Sequence, residues 1–299
     1  MIQRITLLLA MFTLFSSHKA NGEFLSAFSG YQVSEHSYLV DTSEQKGIMF
    51  GSLFDTRLWR RKPTGWWSRG VRAEMRQAPG FFSFGGQFPI YQWHKHHGTW
   101  LEINWMKQEF QTTISEAQTF LGNDGTETAL NIGSAITTER QLQQVQFFWL
   151  ESSKNIGALN LFGISYSKET SPVAAQLSNS SATYFDGEFS GTALVFGRNK
   201  DTRGLNFQWR LNIGKQDSNF SNSITNHKSL STSESQVFTL AFTLQWHYRY
   251  YLSPYWYLSP HLSLNFSSLL QGQSETLHLN HKSLTYSHAQ SWLSIRRNF

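Results

Sequence analysis

From Leu205 to Ile213 the chain alternates without a break: Leu205, Phe207, Trp209, Leu211 and Ile213 share one parity, and Asn206, Gln208, Arg210 and Asn212 the other. A strand turns successive side chains to opposite faces, whereas a helix would place its apolar residues at steps of three and four. The step of two recurs over residues 237 to 250, where Phe238, Leu240, Phe242, Leu244, Trp246, Tyr248 and Tyr250 oppose Thr239, Ala241, Thr243, Gln245, His247 and Arg249. It recurs again where Trp256, Leu258, Leu262, Leu264 and Phe266 oppose Ser259, His261, Ser263 and Asn265. Each segment is a strand with one apolar and one polar face.

The spacing of these segments predicts hairpins. Ser253-Pro254, residues 198 to 204 and residues 151 to 157 are read as tight turns, and the Ser-, Asn-, Gln- and Thr-rich stretches 169–187, 215–235 and 269–284 as long loops. Counted backward from the C-terminus, strands fall near 285–299, 256–268, 236–251, 204–214, 188–197, 158–168, 141–150, 98–111, 81–93, 66–77, 47–60 and 24–35. The fold class is therefore all-β: a transmembrane antiparallel up-and-down β-barrel of twelve strands, its short turns alternating strictly with its long loops and both termini on the short-turn side. An error of one hairpin gives ten or fourteen strands. The N-terminal third follows the pattern less cleanly, because Trp66, Trp67, Arg69, Arg72 and Arg76 interrupt it. Between residues 111 and 140, Gly122-Asn123-Asp124-Gly125 is a tight-turn signal, read either as a protruding hairpin or as an unpaired loop.

The first residues change the picture. Arg4, the apolar run Ile5 to Phe15 and the small-residue site Ala20-Asn21-Gly22 read as a signal peptide over residues 1–22, leaving residues 23–299 as one barrel domain. The apolar run is shorter than the ~20 residues a membrane-crossing helix needs. Its removal takes Arg4 and Lys19 and no acid, so 23 basic residues face 20 acidic ones and the net charge falls from +5 to +3. The pI of 9.3 then gives little support to a nucleic-acid partner, and none is expected. The absence of cysteine rules out disulfides, thiolate metal sites and a cysteine nucleophile. Aromatic residues equal charged ones at 15% each, against about 25% charged in an ordinary soluble domain, as suits a chain whose exterior meets lipid. Trp246, Tyr248, Tyr250 and Trp256 flank the Ser253-Pro254 turn, where amphipathic rings suit the lipid–water boundary.

The last residues carry a resemblance. The segment from Leu284 ends Ser291-Trp292-Leu293-Ser294-Ile295-Arg296-Arg297-Asn298-Phe299, with Leu293, Ile295 and Phe299 on one parity. This resembles the C-terminal strand of Gram-negative outer-membrane β-barrel proteins, with Arg297 standing where that pattern prefers an apolar residue. The resemblance implies recognition by the barrel-assembly machinery, residence in the cell outer membrane, and outer-membrane lipids and lipopolysaccharide as partners. It identifies a class and no family within it. Outer-membrane phospholipases of similar size would need a Ser, a His and an Asn in a set pattern. Glu35-His36-Ser37 and Ser287-His288 lack it, so no catalytic residue is assigned and no enzyme expected. An autotransporter barrel would need a passenger or lumenal helix, which residues 23–46 are too short and polar to supply; a passenger-less relative stays open.

Taking each polar face as lumenal puts Arg57, Arg72, Arg76, Arg210, Arg249 and Arg296 inward against Asp55, Glu74 and Glu102. Such a lumen would favour small anionic solutes, since charge lining a pore selects its opposite and guanidinium forks suit carboxylate and phosphate. This resembles the arginine-lined channels for acidic oligosaccharides. The alternative is a non-conducting structural or interaction barrel, whose narrow interior Arg, Glu and Asp interlock to fill. Wall-to-wall ion pairs would favour the second. His94-Lys95-His96-His97 falls at a turn without a carboxylate partner, so no metal and no cofactor is assigned.

Overall fold

The computed structural model describes residues 24–38, 41–55, 72–94, 97–113, 117–121, 127–152, 158–170, 173–176, 181–202, 205–222, 231–254, 256–271 and 283–298. Residues 1–22, Arg57, Trp66, Trp67, Arg69, the Gly122 to Gly125 turn and Phe299 lie outside the described residues. In chain order the strands are β1 (Phe24–Tyr38), β2 (Asp41–Asp55), β3 (Arg72–Ala78), β4 (Phe81–His94), β5 (His97–Thr113), β6 (Gln118–Leu121), β7 (Glu127–Leu130), β8 (Ala135–Ser152), β9 (Ala158–Thr170) and β10 (Val173–Gln176). They continue with β11 (Ser181–Thr202), β12 (Leu205–Asn222), β13 (Ser231–Tyr248), β14 (Tyr250–Tyr251), β15 (Trp256–Gln271) and β16 (Ser283–Asn298).

Twelve of them form a closed antiparallel ring in the order β1-β2-β3-β4-β5-β8-β9-β11-β12-β13-β15-β16. Pairing of β1 with β16, from Phe24 against Asn298 to Ser37 against Thr285, closes it. Closure gives each of the twelve strands a neighbour on both sides, as a sheet that spans lipid requires. The short β10 follows β9 and pairs with β8 and β11, and β14 continues the line of β13 along β15. β6 and β7 pair only with each other, Gln118 against Leu130, so the segment between β5 and β8 is a separate hairpin and the unpaired alternative is set aside.

The alternation read from the sequence is the inside–outside alternation of the wall. Ile164, Leu194, Leu262, Leu264 and Phe266 point outward and are exposed. Their neighbours Ser165, Val195, His261 and Ser263 point inward and are buried. Toward the short turns, Tyr248, Tyr250 and Trp256 are exposed, while Trp246 pairs with Phe207 and Leu262 on the same outward parity. The turn itself is held by Leu252 N and Ser253 N donating to Trp256 O, and by Trp256 N donating to Ser253 Oγ.

The connections depart from the expected strict alternation of length. On the loop side residues 39–40 alone separate β1 from β2, and Pro79-Gly80 joins β3 to β4, where the seven-residue β3 ends opposite Phe50 and the wall is low. On the opposite side β2 and β3 are separated by residues 56–71. The C-terminal loops are also shorter than expected, since residues 223–230 alone separate β12 from β13 and residues 272–282 alone separate β15 from β16. The cause is that β8, β11, β12 and β13, at 18 to 22 residues, outrun the ~9–11 needed to span the lipid. Beyond the lipid the ladder persists, as in Ser218 against Ser235, but both faces meet water. Alternation disappears there, and paired strand reads as loop.

Candidate functional site

The lumen is filled by the inward face of each strand. On β3, Arg72 and Arg76 stand two residues either side of Glu74, hence on the same face. Both donate to its carboxylate, Arg72 Nη2 at 2.5 Å and Arg76 through Nε. Arg76 also reaches Gln290 on β16, and its guanidinium lies 4.4 Å from the centre of the Trp292 ring. Trp292 stacks on His261, centroids 4.8 Å apart and planes 7° apart, and His261 stacks in turn on His247 at 4.9 Å. This column runs along the inner wall over the neighbouring strands β16, β15 and β13. The backbone makes room for it at Gly30, where a Cβ would collide with the Ser291 carbonyl and with Trp292.

A second cluster spans β5 and β12, four strands apart in the ring. Arg210 Nη1 donates to Glu102 Oε1 at 2.7 Å. Asn104 Nδ2 donates to the same oxygen at 2.8 Å, and Gln87 to the other. Gln208 accepts from Arg210 Nε at 2.6 Å in the amide orientation that satisfies both groups. All charge in this cluster is compensated.

The third cluster lies near the loop side. Arg140 on β8 and Glu169 on β9 make a bidentate pair at 2.7 and 2.8 Å, with 3% and 11% of their side chains exposed, so the pair is buried. Arg140 Nη2 also donates to Ser267 on β15 at 3.3 Å. Its guanidinium lies 3.9 Å from the ring centre of Tyr286 on β16. The Tyr286 hydroxyl donates to Gln108 Oε1 on β5 at 2.5 Å and sits 2.9 Å from His288 Nδ1. β8 and β16 are six places apart in a ring of twelve. One guanidinium–ring contact therefore bridges opposite walls.

Between these layers lies a chamber of about 280 Å³, bounded by Arg72, Arg76, Arg140 and Arg210, by Glu74 and Glu102, and by uncharged polar side chains of β12, β13 and β15. The expected inward residues Arg72, Arg76 and Arg210 are thus together at the chamber, each already engaged with a carboxylate. Arg249 sits between β13 and β14 near the short turns, away from it. Arg296 pairs in register with Ser26 and Tyr257, its side chain outside those described, as are those of Asp55 and His94. Leu293 and Ile295 face outward and are exposed. His94 pairs in register with His97 across the β4–β5 turn.

Sequence reading missed Arg140, Glu169, Tyr286 and His288. Arg140 stands one residue before the expected start of its strand and Glu169 one residue after the end of its own. For Arg140 the signal that would have found it is the inward parity of Gln146 and Gln144 carried on through Leu142 past the expected strand end.

A closed ring of twelve antiparallel strands, an apolar outward belt and a polar, ion-paired interior define the chain as a β-barrel protein of the bacterial outer-membrane class. No protein-family model matches the sequence, and no curated protein matches it. Among solved structures it is similar to the translocator domain of the autotransporter NalP from Neisseria meningitidis, at 8% identity and TM-score 0.45, covering 100% of this chain and 96% of that one. It is similar also to the toluene transporter TbuX from Ralstonia pickettii, at 9% identity and TM-score 0.39, covering 94% and 90%. The outer membrane protease OmpT from Escherichia coli aligns at 9% identity and TM-score 0.36, covering 95% and 98%. Superpositions this loose carry no argument about a site.

Proposed function

We propose that the protein is an outer-membrane barrel whose lumen is shut in its resting conformation, and that its work lies in what the strands carry beyond the lipid on the loop side. The observation that carries this reading is the contact of Arg140 with Tyr286 across opposite walls. Conduction needs a continuous wet path, and here a buried ion pair, an aromatic ring and a hydrogen bond to Gln108 reach across the lumen. The β6–β7 hairpin and the extended ladders of β11, β12 and β13 then present polar surface to a partner or to lipopolysaccharide. Reconstitution in planar bilayers tests this. The wild type is expected to stay silent, and the Arg140→Ala, Tyr286→Ala double variant to give reproducible steps. Stable steps from the wild type at low voltage would overturn the reading.

A second reading, a passage for small anionic solutes, is favoured by the four guanidinium groups around the chamber. Arg72, Arg76 and Arg210 would then set the preference, and the Arg140 bridge would have to move for transit. It demands anion-selective steps whose preference reverses in Arg210→Glu.

A further inference from the structure

We infer that the chamber is a binding site for a neutral polyhydroxylated solute of monosaccharide size. The guanidinium groups that line it are already engaged inside the barrel. Arg72 and Arg76 donate to Glu74, Arg210 to Glu102 and Arg140 to Glu169. A solute anion would have to compete with these seated carboxylates, and a solute cation with the guanidinium groups that hold them. Charge-assisted hydrogen bonds of this kind are the strong ones. The groups left for a ligand are the uncharged ones.

Ser83 on β4, Gln144 on β8, Asn212 on β12, and Thr243 and Gln245 on β13 line the chamber, and their side chains make no hydrogen bond to any described residue. β4 and β13 are six places apart in the ring of twelve, so these groups meet the chamber from opposite walls. Thr243 and Gln245 pair in register with Arg210 and Gln208, and Asn212 follows Arg210 on the same face of β12, so three of them form one patch. Amides and hydroxyls both donate and accept. A solute with several hydroxyl groups matches them in kind and can reproduce the hydrogen bonds that water makes there. Hydrocarbon cannot, and would leave each of them desolvated without a partner. The volume of about 280 Å³ lies at the lower edge of the ~300–1,000 Å³ common for ligand pockets. It admits one sugar unit and excludes a chain of several.

Equilibrium dialysis against the full barrel tests the site, with the protein folded in a detergent that carries no sugar head group and checked by its faster migration on unheated gels. The probes are radiolabelled glucose, galactose, sorbitol and inositol, and the comparisons are gluconate, cyclohexanol and maltotriose. The expected result is saturable binding of one molecule per barrel for at least one of the four polyols. Gluconate should bind at least ten-fold more weakly than that polyol, and cyclohexanol and maltotriose should show no saturable binding. Asn212→Leu and Gln245→Leu should each weaken the polyol at least ten-fold. Should either variant fail to fold, Thr243→Val, which keeps the shape and removes one hydroxyl, should weaken it several-fold. No saturable binding of any of the four polyols to folded wild type overturns the site. Equal binding of the polyol and maltotriose overturns it too, because the contact then lies on an open surface, and so does polyol affinity unchanged in the folded variants. None of these outcomes depends on whether the barrel conducts.

Discussion

The guanidinium of Arg140 lies 3.9 Å from the ring centre of Tyr286, although the two residues stand on opposite sides of the barrel. Glu169 on β9 holds the guanidinium, and Gln108 on β5, the register partner of Arg140, accepts from the tyrosine hydroxyl. Tyr286 thus reaches across to two groups of the facing wall, and their contributions separate by substitution. Tyr286→Phe keeps the ring under the guanidinium and loses only the hydroxyl, so the barrel should remain silent in bilayer recordings. Tyr286→Ala removes the ring and should give steps. Equal silence from both would mean that another layer, such as the Trp292 column, closes the lumen.

Glu169→Gln strands the buried Arg140 charge. Removing one partner of a buried pair costs about 3–5 kcal/mol, whereas replacing both with apolar residues of similar volume is far milder. Urea unfolding in detergent should show the single variant markedly less stable than the Arg140→Met, Glu169→Met double variant. The reverse order would mean that the pair is not desolvated.

Lys168 and Glu188 make an ion pair of 2.5 Å with both side chains more than 40% exposed. Water and salt screen such a pair, so it contributes little to stability. Glu188→Gln should leave the unfolding midpoint nearly unchanged under the conditions that expose the loss at Glu169.

At Gly30 an added Cβ meets the Ser291 carbonyl and Trp292. Gly30→Ala should therefore push β1 from β16 at the seam that closes the ring, with an overpacking cost of about 1–3 kcal/mol. A reduced temperature at which gel migration shifts from folded to unfolded would register it. Ser29→Ala, one residue away on the outward parity, is the control.

Leu264 points outward in the middle of β15, 40% exposed to what would be lipid. An arginine at mid-depth on the lipid face costs about 2–4 kcal/mol. Leu264→Arg should lower stability by that order in a bilayer, and an equal loss from Leu252→Arg, at the turn, would contradict the assigned depth.

How much of this was legible depends on where each residue stands. β12, β13 and β15 were readable because lipid outside and polar groups inside force opposite chemistry on alternate residues. Their ends were not, since Ser218 and Ser235 pair beyond the lipid where no such contrast operates. At the N-terminal end the sequence showed that Arg72, Glu74 and Arg76 share a face. That Gln290 and Trp292 complete their surroundings depends on closure of the ring, which brings residues more than 200 positions apart into contact.

The sequence by itself determined the strand period, the inward parity of Arg72, Arg76 and Arg210, and the outward parity of Leu293 and Ile295. All of these follow from side-chain alternation, a property of one strand at a time. Only the tertiary structure decided that the arginines are engaged by carboxylates, that Arg140 and Tyr286 meet across the lumen, and that a chamber lies between the layers. The reason is geometric. Parity says that a side chain points inward, but the height and angle at which it arrives depend on register accumulated around twelve strands, and no local pattern encodes that sum.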